Sequence, residues 1–383
     1  MRSTPKITPG QDRAYYALIA NGVPLVVSLG DKPLQGDWSP RRFMLTHGSQ
    51  RVLDSRESAP SRRTVAQFFQ DFLRSDLERG GTIKLKDWPS STALASEFPD
   101  HFYAFMDAVP MASHTRLDGF HNLAAHFPLS SSSRQSFKPD LGPKMYIATR
   151  DLDEVGSTAL HLDVTNAVNI LMYTASEDSR KAGALWHIFL ASDVDKLRGY
   201  LRSVTGSPID KDPELAEQGV RPFVIEQHRG EAIFIPAGCP HQVSHNACLN
   251  LLPCIKIASD FVSVDAVTQS MKVREALHQE RKEDILQLEA TLWHAWHSIH
   301  AQLANMANIV PNTSDCAPSR LQRKRLRKRQ SQSARDDQAR RTKLRRSGED
   351  STEFQMHRYR CPHPACSDSK RTFDKLDGVL SHV

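Results

Sequence analysis

Seven short apolar stretches occupy residues 142–263 and constrain the fold more than any other feature of the sequence. They cover 144–148, 159–163, 167–174, 184–190, 223–227, 232–235 and 251–257, and turn residues separate most of them. Several short strands with turn signals predict a sandwich or barrel, the jelly roll among them. A helical pattern, DVDKLRGYLRSV (193–204), falls between the fourth and fifth stretches. Upstream, residues 1–12 read as a frayed terminus and 13–135 as a mixed, partly helical region. Within it, 64–79 reads as an amphipathic helix with Val65, Phe68, Phe69, Phe72, Leu73 and Leu77 on one face. TIKLKDW (82–88) alternates and meets Pro89, so it reads as a strand. Serines 130–133 form a surface turn.

Downstream of the strands, 264–309 reads as a helical extension, one long helix or two. Ile285, Leu288, Leu292, Trp296, Ile299 and Leu303 recur at steps of three and four. This predicts a helix packed on the barrel, since the pattern is shorter than a coiled coil requires. Residues 310–357 are poor in apolar residues and rich in Arg, Gln, Ser and Asp, a disordered composition. Residues 358–383 form a small Cys/His module.

The 383 residues exceed the ~100–200 usual for one domain, so one large domain with a smaller companion is expected. The net charge of +6 is unevenly placed. Residues 320–346 hold thirteen Lys/Arg against two Asp, a local +11, which leaves about −5 for the remainder. Such a basic segment suggests nucleic acid or chromatin as a partner. Four of the six cysteines are scattered and no secretory signal is visible, which points to free thiols in a reducing compartment. No apolar run approaches the ~18 residues of a membrane span.

His161-Leu162-Asp163 lies in one of the strand-like runs. Alternate strand residues share a face, so an imidazole and a carboxylate are expected side by side. His241 follows an apolar strand that ends in a Pro/Gly turn, and it supplies a third ligand. Two histidines and one carboxylate form the facial triad of non-haem iron(II) oxygenases, with positions left open for oxygen and a chelating co-substrate. H-x-D alone is a weak signal; the third histidine and the strand context strengthen it. His245 is a rival to His241, but His241 has the P-x-H-Q-V context. His187 reads as a packing or solvent residue, and nothing marks His114, His121 or His126 as ligands.

Six pieces resemble the JmjC histone demethylases of the hairless-like subgroup, which acts on repressive lysine methylation. They are IKLKDWP (83–89), FKPDLGPKMY (137–146), STALHLDVTNAVNILMY (157–173), GALWHIF (183–189), EAIFIPAGCPHQV (231–243) and CIKIASDFVS (254–263). The resemblance implies a double-stranded β-helix (jelly-roll, cupin-like) core over 136–263, wrapped by helices. It also implies Fe(II) on His161, Asp163 and His241, with 2-oxoglutarate as co-substrate. Tyr146, Thr158 and Asn169 occupy positions where relatives contact that co-substrate. Many relatives hold its distal carboxylate with a lysine shortly after the first histidine. Here Lys181 lies in a polar loop and the corresponding run reads Ala184-Leu185-Trp186. Lys256 is the candidate cation, or else an edge-strand surface lysine. The stretch 244–253 (SHNACLNLLP) departs from the family by about five extra residues, a bulge that could disturb the metal face.

In the C-terminal module, Cys361, Cys366, Phe373, Val379 and His382 follow the pattern of a two-Cys-two-His zinc finger. The fourth Zn(II) ligand is absent, as in a fragment or an incomplete finger. RLQRKRLRKR (320–329) and RRTKLRR (340–346) read as phosphate-binding or nuclear import segments. The expectation is therefore a nuclear demethylase acting on a histone tail peptide, with DNA held by the basic tail. The alternatives are a catalytically weak JmjC chromatin regulator and a protein side-chain hydroxylase.

Overall fold

The computed structural model describes residues 1–30, 34–55, 61–79, 81–127, 139–151, 157–176, 178, 180–203, 217–244, 250–280, 286–309, 359–360 and 372–373. The chain divides into two compact units: 1–127 with 137–296, and 128–136 with 297–383.

The first unit holds thirteen described strands: β1 (Lys6–Ile7), β2 (Leu25–Ser28), β3 (Arg51–Asp54), β4 (Ser61–Thr64), β5 (Lys84–Trp88), β6 (Lys144–Ala148), β7 (Ser157–His161), β8 (Asn166–Thr174), β9 (Ala184–Ile188), β10 (Phe223–Gln227), β11 (Glu231–Ile235), β12 (His241–Ser244) and β13 (Cys254–Phe261). Its helices are α1 (Asp12–Ala20), α2 (Pro40–His47), α3 (Val65–Phe72), α4 (Asp76–Arg79), α5 (Leu94–Glu97), α6 (Pro99–Ala108), α7 (Ala112–Thr115), α8 (Val194–Ser203), α9 (Val267–Gln279) and the first part of α10 (Leu288–Ile309). In the second unit the described residues are the end of α10 and an antiparallel pair, β14 (Tyr359–Arg360) with β15 (Thr372–Phe373).

The strands form a seven-stranded sheet, ordered β1-β2-β11-β8-β13-β6-β5, a four-stranded sheet, ordered β10-β9-β12-β7, and a separate antiparallel pair of β3 with β4. This is the expected jelly-roll core. Strand alternation divides the larger sheet into two faces. Leu85, Met145, Ile147, Val168, Ile170, Met172, Ile255 and Ile257 join the main apolar core with Phe43, Phe68, Phe69, Phe72, Phe98 and Phe105 of the N-terminal helices. Burial of each such aromatic side chain stabilises the packing by roughly 1.5–3 kcal/mol. The alternate residues face the smaller sheet. There Ala167, Ile233 and Ile235 pack with Ala184, Trp186, Ile188 and Ile225. Lys84, Tyr146, Asn169 and Lys256, also on that face, line a cavity.

β6 and β10 have the bounds read from the sequence, and α8 differs by one residue at each end. β7 runs over Ser157–His161 rather than 159–163, and three further elements depart. The helix expected over 64–79 begins in a capping box between Thr64 and Gln67 but ends at Phe72. Ser75 starts α4 afresh through its hydrogen bonds to Glu78. Leu73, at the C-cap of α3, and Leu77, in the restarted helix, are exposed rather than on the buried face. The last strand begins at Cys254 instead of 251, because the Leu251 N–H donates to the Gly183 carbonyl. The C-terminal extension is two helices. Leu288, Thr291 and Ala295 of α10 are buried, whereas Trp296, Ile299 and Leu303 are exposed, so only its first turns match the predicted packing. The serine turn at 130–133 and Ile285 lie outside the described residues. No helix among the described residues is long and apolar enough to cross a membrane.

Candidate metal centre

β7 and β12 are neighbours in the smaller sheet, and their register sets His161 opposite His241. The two imidazole rings lie 4.2 Å apart between centroids. β7 ends at His161, so strand alternation is not what places Asp163. The Gly238 N–H instead donates to the Asp163 carbonyl at 2.9 Å and fixes the bend after the strand. Gly238 has φ +72°, and a Cβ there would lie 2.6 Å from Gln269 Nε2, so this turn requires glycine. Asp163 Oδ2 comes within 3.6 Å of His241 Nε2. One ligand atom from each of His161, Asp163 and His241 can lie within 4.8 Å of the others.

The protonation state suits a metal. Burial holds the His241 imidazole below its ordinary pKa, the His161 ring adds to this, and Asp163 opposes it. Nδ1 of His241 lies 3.0 Å from the Cys239 carbonyl, which assigns the N–H to Nδ1 and leaves the Nε2 lone pair toward the cluster. Two imidazoles and a single carboxylate match the donor set of a facial iron(II) site. His245, the rival ligand, lies outside the described residues.

A cavity of about 480 Å³ adjoins the cluster and contains all three residues in its lining. Trp186 lines it, with the indole ring 6.3 Å from the His241 ring and 5.3 Å from Lys256 Nζ. Its Nε1–H donates to Gln227 Oε1 at 2.9 Å, which pins the ring. Lys256 is not at a sheet edge. It sits on β13 between β6 and β8, is 5% exposed, and donates to Asn250 Oδ1 at 2.8 Å. Asn250 in turn donates through its backbone and side-chain nitrogens to Asp151 Oδ2, both at 2.8 Å. The buried Asn169 Oδ1 has no hydrogen-bond partner among the described residues. An unsatisfied buried acceptor costs about 1–3 kcal/mol, which a hydrogen-bonding ligand or water would recover. These features fit a polar, anionic co-substrate beside a metal.

Tyr146 also lines the cavity, and its hydroxyl donates to Asp87 Oδ1 at 2.6 Å. Burial, then the Asp87 carboxylate, keeps this phenol protonated. Burial and the carboxylates of Asp163, Asp140 and Asp87 raise the Asp260 carboxyl well above the usual carboxylate range, an effect that a bound cation would oppose. Thr158 lies on β7, where a register shift pairs it with Val243 although His161 pairs with His241. That extra residue in β7 sets position 158 opposite residue 243, two residues along β12 from His241. Cys361, Cys366 and His382 lie outside the described residues.

Sequence reasoning missed Lys84, Asp151, Trp186 and Asn250. Lys84 alternates with Ile83 and Leu85, a pattern equally compatible with solvent. Asn250 belongs to the stretch 244–253 that marked the chain as unusual, yet it is buried and tied to Lys256. Lys181 is exposed and is not part of the cavity lining. His114 pairs with the Tyr16 hydroxyl at 2.7 Å, away from the cavity.

The sequence profile described as "JmjC domain, hydroxylase" matches residues 157–261, the span that holds the whole His/Asp/His cluster. The chain carries a JmjC domain. Over 343 aligned positions, covering 72% of this chain, the chain is 32% identical to Lysine-specific demethylase 3A of Homo sapiens and covers 25% of it. It is 34% identical over 271 positions to Lysine-specific demethylase 3 of Drosophila melanogaster, covering 56% of this chain and 31% of that protein. It is 28% identical over 342 positions to the Probable JmjC domain-containing histone demethylation protein 2C of Homo sapiens, covering 72% and 13%. The chain is therefore homologous to lysine-specific demethylases, and it spans about a quarter of the length of the 3A relative.

Proposed function

We propose that this JmjC protein is an Fe(II)- and 2-oxoglutarate-dependent dioxygenase that removes methyl groups from lysine on a histone tail, with a repressive lysine-nine-type mark as the substrate. The observation that carries the proposal is the His161/Asp163/His241 cluster at one cavity with the buried Lys256. The homology to lysine-specific demethylases supports the substrate class.

In this proposal His161, Asp163 and His241 hold the iron. When bound, iron would supply the chemistry by which O2 oxidises 2-oxoglutarate to succinate and CO2 and places its second oxygen atom on an N-methyl carbon, and the resulting carbinolamine would lose formaldehyde. The protein positions the reactants and shields them. Lys256 faces the distal carboxylate of the co-substrate, and Asn169, Tyr146 and Thr158 contribute polar contacts to the same pocket. Trp186 provides an apolar wall of that pocket. Histones and chromatin are the proposed partners, the nucleus is the proposed location, and the basic segment 320–346 adds a sequence-independent hold on DNA. The C-terminal module would take Zn(II) through Cys361, Cys366 and His382.

The deciding experiment measures succinate and formaldehyde from 2-oxoglutarate with a panel of methylated histone peptides. Succinate together with formaldehyde supports demethylation. Peptide-dependent succinate without formaldehyde favours side-chain hydroxylation, the second reading that the description of the matched profile supports. Absence of both products sinks the oxygenase proposal and leaves a binding role in chromatin regulation.

A further inference from the structure

Lys256 is buried on β13, between β8 and β6, and among the described residues its ammonium donates to a neutral group. Nζ reaches Asn250 Oδ1 at 2.8 Å, with the Trp186 ring centroid 5.3 Å away. The carboxylate of this network stands one side chain further on. Asp151 Oδ2 accepts from the Asn250 backbone N–H and from Asn250 Nδ2, both at 2.8 Å. Asn250 and Asp151 are as buried as the lysine, but only Asn250 and Lys256 line the cavity; Asp151 does not.

This order of groups fixes a direction. A side-chain amide can turn either its oxygen or its nitrogen toward a neighbour, whereas a carboxylate only accepts. Asp151 therefore draws Nδ2 to itself and leaves Oδ1 facing Lys256. The Cys254 thiol donates to the same oxygen at 3.5 Å. The backbone around Asn250 is tied down as well. Its carbonyl accepts from the Asp151 N–H at 3.0 Å, the next N–H, of Leu251, donates to the Gly183 carbonyl at 2.9 Å, and Asn250 forms a β-bridge with Ala184. An ammonium offers more donors than one amide oxygen uses, so Lys256 keeps N–H groups for a ligand. A carboxylate in direct contact with Lys256 would repel a ligand carboxylate at the same ammonium. The amide orients the lysine while it keeps that negative charge a side chain away.

We propose that Asp151 and Asn250 are positioning residues for the co-substrate. Asp151 locks the Asn250 amide, and the amide holds the Lys256 ammonium where the far carboxylate of a short dicarboxylate meets it. This rests on the reading of the cavity as a 2-oxoglutarate site with Lys256 at its distal end, and adds how that lysine is made selective. Asn250 belongs to the stretch 244–253 that the sequence marks as unusual, so this stretch helps to build the site.

The test uses calorimetric titration of the full chain loaded with Mn(II), a redox-silent stand-in for the proposed iron. The ligands are 2-oxoglutarate and 2-oxobutyrate, which share the keto-acid end and differ in the distal carboxylate. The readout is the ratio of their two Kd values, because a fold that is merely loosened weakens both ligands alike. Wild type should prefer 2-oxoglutarate. Asp151→Asn keeps the side-chain size but frees the Asn250 amide to turn, and should lower the preference about tenfold, the scale of one charged hydrogen bond. A folded Asp151→Asn whose preference stays within about twofold of wild type, or which weakens both ligands equally, overturns the proposal. Should it not fold, Asn250→Ser decides by the same ratio and the same limits. Asp151 also lies close enough to Lys84 to act on its charge, so the route of the effect is tested separately. In a Lys256→Met background, Asp151→Asn should change the ratio no further, since coupled residues are not additive. A further fall there would show that Asp151 acts through another group and overturns its role as a positioning residue for Lys256. A wild type that binds neither ligand, or both equally, refutes the underlying reading of the cavity instead.

Discussion

Replacing Lys256 with methionine keeps most of the side-chain volume and removes the ammonium that lies 2.8 Å from Asn250 Oδ1 and 5.3 Å from the Trp186 ring centroid. For folding, the change is a small difference of larger effects. The charged hydrogen bond and the cation–π contact are lost, at roughly 1.5–3 and ~0.5–2 kcal/mol. The cost of burying an ammonium disappears at the same time. Asn250 Oδ1 also retains the Cys254 thiol at 3.5 Å, so it is not wholly stripped of partners. For binding in the proposed mode no such compensation exists, because the distal carboxylate of 2-oxoglutarate would lose the cation proposed to hold it. That loss is about 1.5–3 kcal/mol, or roughly tenfold to a hundredfold in Kd. The assay pairs thermal melting with 2-oxoglutarate titration of the metal-loaded protein. The expected outcome is a modest shift in Tm with a large rise in Kd, and methylated peptide binding nearly unchanged. A Kd within about twofold of wild type in a folded variant would make Lys256 a structural residue and refute the reasoning.

Asp163→Ala removes the single anionic donor of the cluster, so metal affinity and succinate production should both collapse; normal succinate output from the purified variant would sink the proposed centre. The Lys84 ammonium is depressed from its ordinary 10.5 to about 7, so between those values the unfolded chain binds more protons than the folded one. Stability of the chain should rise with pH across that window, and a melting temperature that falls with pH there would contradict the sign. Deleting 318–383 should remove most salt-dependent DNA binding, whose slope is about −0.9 per phosphate neutralised on duplex DNA. Equal DNA affinity of the full and shortened chains, measured against salt, would place the contact surface on the JmjC body.

Local chemistry was enough to read much of this protein. The turn-punctuated strands β6 and β10 could be placed to the residue because strand formation there follows alternation and breakers over a few residues. His161, Asp163 and His241 could be grouped because a motif and a Pro/Gly turn mark strand ends. Tertiary structure decided what alternation leaves open. A polar residue in an alternating strand faces either water or an internal cavity, and only the second sheet closing over β5 and β13 made Lys84 and Lys256 buried cations. The bend that delivers Asp163 depends on the Gly238 N–H, seventy-five residues away in sequence, which no local pattern encodes. The helix break at Leu73 depended on competing hydrogen bonds of Ser75 and Glu78 rather than on hydrophobic spacing. Asn250 looked like part of an intrusive segment; its role came from the register that sets it opposite Ala184 and beneath Lys256. Short-range periodicity specifies elements, whereas burial and charge balance arise when distant elements share one space.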